Sequence, residues 1–99
     1  MQRKMAKFKT KRNHLYIDGK LVIRAWESYT GWYWFAVEKI EEGITVIDGK
    51  EVEDTIWFGL VQGQEEEWGY FSEAELTALG KTKVWSIPQK DLPYSGRRN

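Results

Sequence analysis

The stretch from Thr55 to Leu79 constrains this chain most, because it specifies three consecutive elements and leaves few arrangements for the rest. Thr55 to Gln62 reads as a strand, with Ile56, Phe58 and Leu60 on one side and Trp57 and Val61 on the other. Gly59 interrupts the second side, the usual mark of a bulge or of a place where another ring or backbone approaches closely. The loop from Gly63 to Glu66 leads into a short strand, Glu67 to Phe71. Ser72 then offers a helix N-cap with Glu75 at the capping-box spacing, and Glu73 suits the positive end of the helix. Leu76 and Leu79 give that helix its inward face, and Gly80 stops it.

Upstream, Trp32 to Ile40 reads as a strand that is apolar on both sides: Trp32, Trp34 and Ala36 against Tyr33, Phe35 and Val37. A central strand covered on both faces has this pattern. Ile44 to Ile47 and Glu51 to Glu53 flank Asp48-Gly49 and predict a short acidic hairpin projecting between two core strands. His14 to Ile17 and Lys20 to Trp26 flank a second Asp-Gly, Asp18-Gly19, and predict another hairpin. Lys83 to Ile87 forms a last strand, ended by Pro88, which has no amide to donate. The expected fold is α+β: about six strands, mainly antiparallel, twisted or partly closed into a barrel, with one short helix near residues 73–79. Residues 14–88 form its single β-rich domain, 1–13 a basic flexible arm and 89–99 a basic C-terminal tail.

A chain of 99 residues fits one domain. With no Cys it has no disulfide, thiolate zinc site or cysteine nucleophile, and this fits a reducing compartment. No segment approaches the roughly 18 apolar residues of a membrane span, so a cytoplasmic location is expected. The 30% charge, absence of Cys and scarcity of Asn also suit a thermophile. A net charge of zero conceals strong segregation. Residues 1–12 carry six cations and no acid, residues 38–75 hold twelve acids against Lys39 and Lys50, and residues 76–99 hold five bases against Asp91.

Catalytic chemistry finds little here. His14 is the only histidine and lacks ligand or general-base partners in the sequence. Asp48, Glu51, Glu53 and Asp54 do not have calcium-loop spacing, and Glu65, Glu66 and Glu67 point apart on consecutive positions. Gly59, Gly63 and Gly69 are not followed by the Lys-Ser/Thr of a phosphate loop. No catalytic residue, metal or cofactor is expected. Trp32, Trp34, Trp57, Trp68 and Tyr70 could form a stacking platform for single strands of nucleic acid, but the same rings are also the material for a core. The core reading leaves one or two exposed rings, with Trp26 and Trp85 as candidates.

The central pattern resembles a family of small proteins from bacterial genomes, plasmids and phages, classed as a domain of unknown function. The residues that carry the resemblance are Trp34 to Glu38, Phe58-Gly59-Leu60, Gly63 to Glu67, Gly69-Tyr70, Ser72 and Glu75-Leu76, spanning roughly residues 32–80. The resemblance implies a mobile-element setting and transfers no site residue. The extra Trp and the basic C-terminal end depart from the family pattern.

The expected function is therefore a non-enzymatic binding or interaction module of a virus or plasmid. One alternative is nucleic-acid binding through Arg3, Lys4, Lys7, Lys9, Lys11 and Arg12, helped by Arg97 and Arg98. The other is an acidic nucleic-acid mimic that occupies a host protein through Glu51, Glu53, Asp54, Glu65, Glu66 and Glu67.

Overall fold

Two long strands, β5 (Tyr33–Ile47) and β6 (Lys50–Gln62), pair antiparallel about the Asp48-Gly49 turn and form the spine of the molecule. Asp48 and Gly49 both have positive φ, 52° and 77°, as a two-residue hairpin turn of matching twist requires. This is a computed structural model, and it describes residues 5–88 and 91–92. The remaining elements are β1 (Phe8–Lys11), β2 (His14–Ile17), β3 (Lys20–Leu21), β4 (Arg24–Ser28), β7 (Glu66–Ser72), the helix α1 (Glu73–Ala78) and β8 (Val84–Ser86). They form two antiparallel sheets, ordered β1-β2-β3 and β7-β6-β5-β4-β8. Neither sheet closes, so the architecture is mainly antiparallel β with one short helix.

The sheet end of the spine, Tyr33 to Val37 against Trp57 to Gln62, is covered on both faces, as the apolar alternation there predicts. On one face Ala25, Phe35 and Leu60 stand in register across β4, β5 and β6, and all three are buried. The small sheet closes over them with Leu15 and Ile17, and Val22 of the link to β4 and Leu92 complete this core. On the other face Trp26, Ala36 and Trp57 are covered by Leu76 of α1 and by Val84 of β8. Each fully buried large side chain contributes roughly 1.5–3 kcal/mol, and the rings add edge-to-face contacts such as Trp26 with Phe71 at 5.7 Å.

Several expectations need correction. The described part of the arm is not loose: β1 pairs with β2 from Phe8↔Ile17 to Lys11↔His14, turning through Arg12 and Asn13 at φ 54° and 66°. Phe8 packs edge-on against Phe35, with ring centroids 5.5 Å apart. Within the expected tail, Leu92 is 2% exposed and belongs to the core. The run Lys20 to Trp26 is two strands in two sheets, because the Val22 amide donates to Leu15 and the Ile23 amide to Ala36. Trp26 is buried, at 4% exposure, not an exposed ring.

β5 carries two irregularities against β6. The partners run Ala36↔Gly59 then Glu38↔Phe58, and Lys39↔Trp57 then Glu41↔Ile56, leaving Val37 and Ile40 as inserted residues. The expected acidic hairpin about Asp48-Gly49 is present, with Ile44 to Ile47 paired to Lys50 to Glu53, and it is the far end of these same two strands.

Candidate functional site

The pairing of β4 with β5 stops at Arg24↔Ala36, and that of β7 with β6 at Ile56↔Ser72. Beyond those points β5 and β6 run on as a two-stranded ribbon to the Asp48-Gly49 turn. The helix α1 leaves the sheet at Ser72 alongside the ribbon, and the space between them is a groove of 870 Å³. Its walls combine carboxylates, among them Glu42, Glu53 and Glu73, with the apolar Ile44, Val52 and Ala78; Lys50 is the one cation among its lining residues. Ile44 is 61% exposed and its neighbour Val46 65%, an unusual density of bare β-branched surface on one ribbon.

The end of the groove is fixed by Asp54. One carboxylate oxygen, Oδ2, accepts from the Thr45 hydroxyl and from the Ser72 hydroxyl, each at 2.6 Å. The other accepts from the Ala74 amide at 2.8 Å. Ser72 Oγ in turn accepts from the Glu75 amide at 3.1 Å, the N-cap that the sequence predicts. Asp54 thus ties the ribbon, the cap and the helix together. Burial raises its carboxyl, but the bonds from Ser72, Thr45, Ala74 and the Thr55 amide outweigh burial and hold it below the ordinary aspartate value. At the first position of α1, Glu73 accepts from the Trp57 indole at 2.9 Å and pairs with Arg24 at 3.5 Å. The Arg24 guanidinium lies over the Trp26 ring at 4.7 Å. On the ribbon, the Lys39 ammonium bonds Glu42 at 2.7 Å and lowers its carboxyl.

The structure divides the acidic residues that the sequence groups together. Glu51 and Glu53 are exposed on the ribbon, opposite Val46 and Ile44. Asp54 is 7% exposed and fully engaged, so it is structural and presents no free charge. Glu66 pairs with Gln62 at the far end of β6, and at about 3.3 Å per residue it lies roughly 30 Å from Glu53. Glu66 also accepts from the Ala6 amide and the Gln62 side chain, while Glu65 and Glu67 are exposed beside it. There are therefore two acidic regions, and only the ribbon region adjoins a groove.

The cations are partly ordered. Lys9 faces Tyr16 and Lys11 faces His14 across β1 and β2, on the side opposite the buried Leu15 and Ile17. Arg12 sits in the adjoining turn, and its carbonyl contacts the His14 ring at 2.9 Å. Lys7 donates its amide to Asp18 and is exposed. Arg3, Lys4, Arg97 and Arg98 lie outside the described residues.

The aromatics form no single platform. Trp57 is buried; Trp34 and Trp68 are half-buried; Trp32 is 38% and Tyr70 69% exposed. Trp34 pairs in register with Val61, and Tyr70 with Phe58, which puts the two rings on opposite faces of the sheet. Among the described residues no group of three or more His, Cys, Asp or Glu is arranged to hold a metal ion, and no helix is long and apolar enough to cross a membrane.

No family model, curated protein or solved structure matches this chain. The groove itself escaped the sequence reading. Its one available signal was the pair of exposed β-branched residues, Ile44 and Val46, set among acids on a segment without further apolar alternation.

Proposed function

We propose that this protein is a non-enzymatic binding module that holds a cationic segment of another protein in the groove between the β5–β6 ribbon and α1. The observation that carries this reading is the groove lining: the exposed carboxylates of Asp48 and Glu53, and those of Glu42 and Glu73, which already hold Lys39 and Arg24, stand with the apolar Ile44 and Val52. Such a surface favours lysine or arginine side chains with apolar neighbours, and like charge excludes acidic partners. The resemblance over residues 32–80 adds a mobile-element setting, in which the partner is a host protein. The double variant Glu42→Lys/Glu53→Lys tests this reading, because both residues are exposed and neither touches the Asp54 knot. Titration calorimetry with a synthetic peptide of alternating Lys and Val is expected to give binding that weakens with salt and falls roughly tenfold or more in the variant. Unchanged affinity in the variant removes the groove from the binding surface.

A second reading rests on a separate observation, the ordering of Lys9 and Lys11 onto one outward face with Tyr16 and His14. That face, with Arg12, suits the backbone and bases of single-stranded nucleic acid. Deleting the arm is a poor test, since it removes β1 and the Phe8 contact with the core. Lys9→Glu/Lys11→Glu leaves that packing intact. Fluorescence anisotropy with single-stranded DNA over a salt series is expected to show roughly tenfold weaker binding and a shallower salt slope for the variant. Absence of binding by the parent protein at low salt sinks this reading.

A further inference from the structure

The groove has a property that its lining alone does not express. We infer that it binds its partner by strand addition, with an extended cationic segment pairing its backbone to the free edge of β6 between Lys50 and Thr55. This rests on the reading of the groove as the protein-binding site and specifies how that site works.

The parity of the hairpin identifies the free groups. In a two-residue turn of this type the flanking pair, Ile47↔Lys50, exchanges both backbone hydrogen bonds, and the bonded pairs then recur at every second position. Lys50, Val52 and Asp54 therefore direct their amides and carbonyls to β5. Glu51, Glu53 and Thr55 direct theirs to the other side. Along Ile56 to Gln62 that side is taken by β7, but among the described residues no strand lies there between Lys50 and Thr55. The Thr55 amide is used by Asp54, leaving the Glu51 and Glu53 backbones as the open pairing groups.

The groove reaches this edge at Glu53 and extends from there across the ribbon to Glu42, Gly43, Ile44 and Ile47 of β5. Its lining takes the consecutive residues Val52, Glu53, Asp54 and Thr55, hence side chains from both faces of β6, together with Ala74 and Ala78 of α1. A strand seated here would pair beside Glu51 and Glu53, beyond the first turn of α1, which lies against Asp54 through the Ala74 amide. Addition of an extended peptide to a sheet edge is an established mode of recognition, in which the backbone supplies affinity and alternate side chains supply specificity. The alternation here selects the occupant. Glu51 and Glu53 share a face of β6, while Val52 lies on the other. The segment that fits alternates cationic residues, placed beside Glu51 and Glu53, with small apolar residues beside Val52.

N-methylation of the peptide tests the mode. Two versions of the acetylated, amidated Lys-Val peptide, about eight residues long, are methylated on the backbone nitrogen of every lysine or on the backbone nitrogen of every valine. They have the same charge and composition, and differ only in which edge of the strand can donate. Strand addition predicts that one version loses roughly tenfold or more in affinity while the other stays near the unmethylated peptide. Hydrogen exchange at the Glu51 and Glu53 amides should slow in the complex with the tolerated version. Equal affinity of the two versions, with no slowing at those amides, overturns strand addition while leaving the acidic groove as a binding surface. Failure of the unmethylated peptide to bind overturns both.

Discussion

Replacing Gly59 with alanine is expected to destabilise the protein by about 3 kcal/mol or more, a fall in melting temperature of roughly 12–24 °C for a domain of this size. A Cβ at this position would lie 1.8 Å from the Phe35 carbonyl oxygen, 2.7 Å from its carbon and 2.9 Å from the Ala36 Cα. All three are backbone atoms of the paired strand, so no side-chain rotation relieves the clash; β5 and β6 must separate. Phe35 is fully buried on one face and Ala36 on the other, so separation disturbs both cores. Gly63 is the control. A Cβ there would come 2.5 Å from the Trp32 ring, a partly exposed side chain that can swing aside, and Gly63→Ala should cost less than about 1 kcal/mol. Urea denaturation of the two variants decides the matter. Equal stabilities for Gly59→Ala and the parent protein would mean that the strands do not approach as described.

Removing the Asp54 carboxylate is the second large effect. Asp54→Ala leaves the Thr45 and Ser72 hydroxyls and the Ala74 amide without their acceptor, for an expected loss of about 3 kcal/mol. Asp54→Asn keeps the shape and one acceptor oxygen and should lose less. The pH dependence identifies the charge itself. Because the folded carboxyl is held below its unfolded value, its stabilisation is complete above the ordinary aspartate range and is lost as pH falls through the folded value. The stability gap between the parent and Asp54→Asn should therefore narrow as pH falls below the ordinary aspartate range. Chemical denaturation at neutral pH and near pH 2 measures the gap at each end. A gap that stays constant would show that the ionised form is not what the knot recognises.

Much of the framework could be read from residues. Ser72 and Gly80 mark the helix and its end and act as their types suggest, while Glu75 contributes its backbone amide to the Ser72 cap. Gly59 signals a close approach, and Asp18-Gly19 and Asp48-Gly49 make the turns their positive angles allow. What escaped was carried by weak local signals or by long-range pairing. β1 offers only Phe8 and Thr10 on its inner side, and its turn uses Arg12-Asn13, without glycine. The division of Lys20 to Trp26 between two sheets is set by partners, Leu15 and Ala36, which propensity does not name. The candidate site fared worse for the same reason. Asp54 looks like one more surface acid, and only the fold brings it to Ala74, twenty positions later. Glu53 and Glu66 look like neighbours in a charge count, yet an extended β6 holds them apart.

Val37 and Ile40 together behave like a compensated frame shift. Ahead of them the even positions of β5, Trp34 and Ala36, share the face covered by α1. One inserted residue exchanges the sides, so that Glu38 stands opposite Phe58 and Lys39 opposite Trp57. The second insertion exchanges them back, and Ile44 and Val46 return with Glu53 and Glu51 to the side on which Trp57 lies. Deleting either residue alone would move Ile44 and Val46 to the other side of the ribbon, whereas deleting both would preserve the phase. The groove therefore depends on two insertions acting as a unit, neither of which contributes a side chain to its lining.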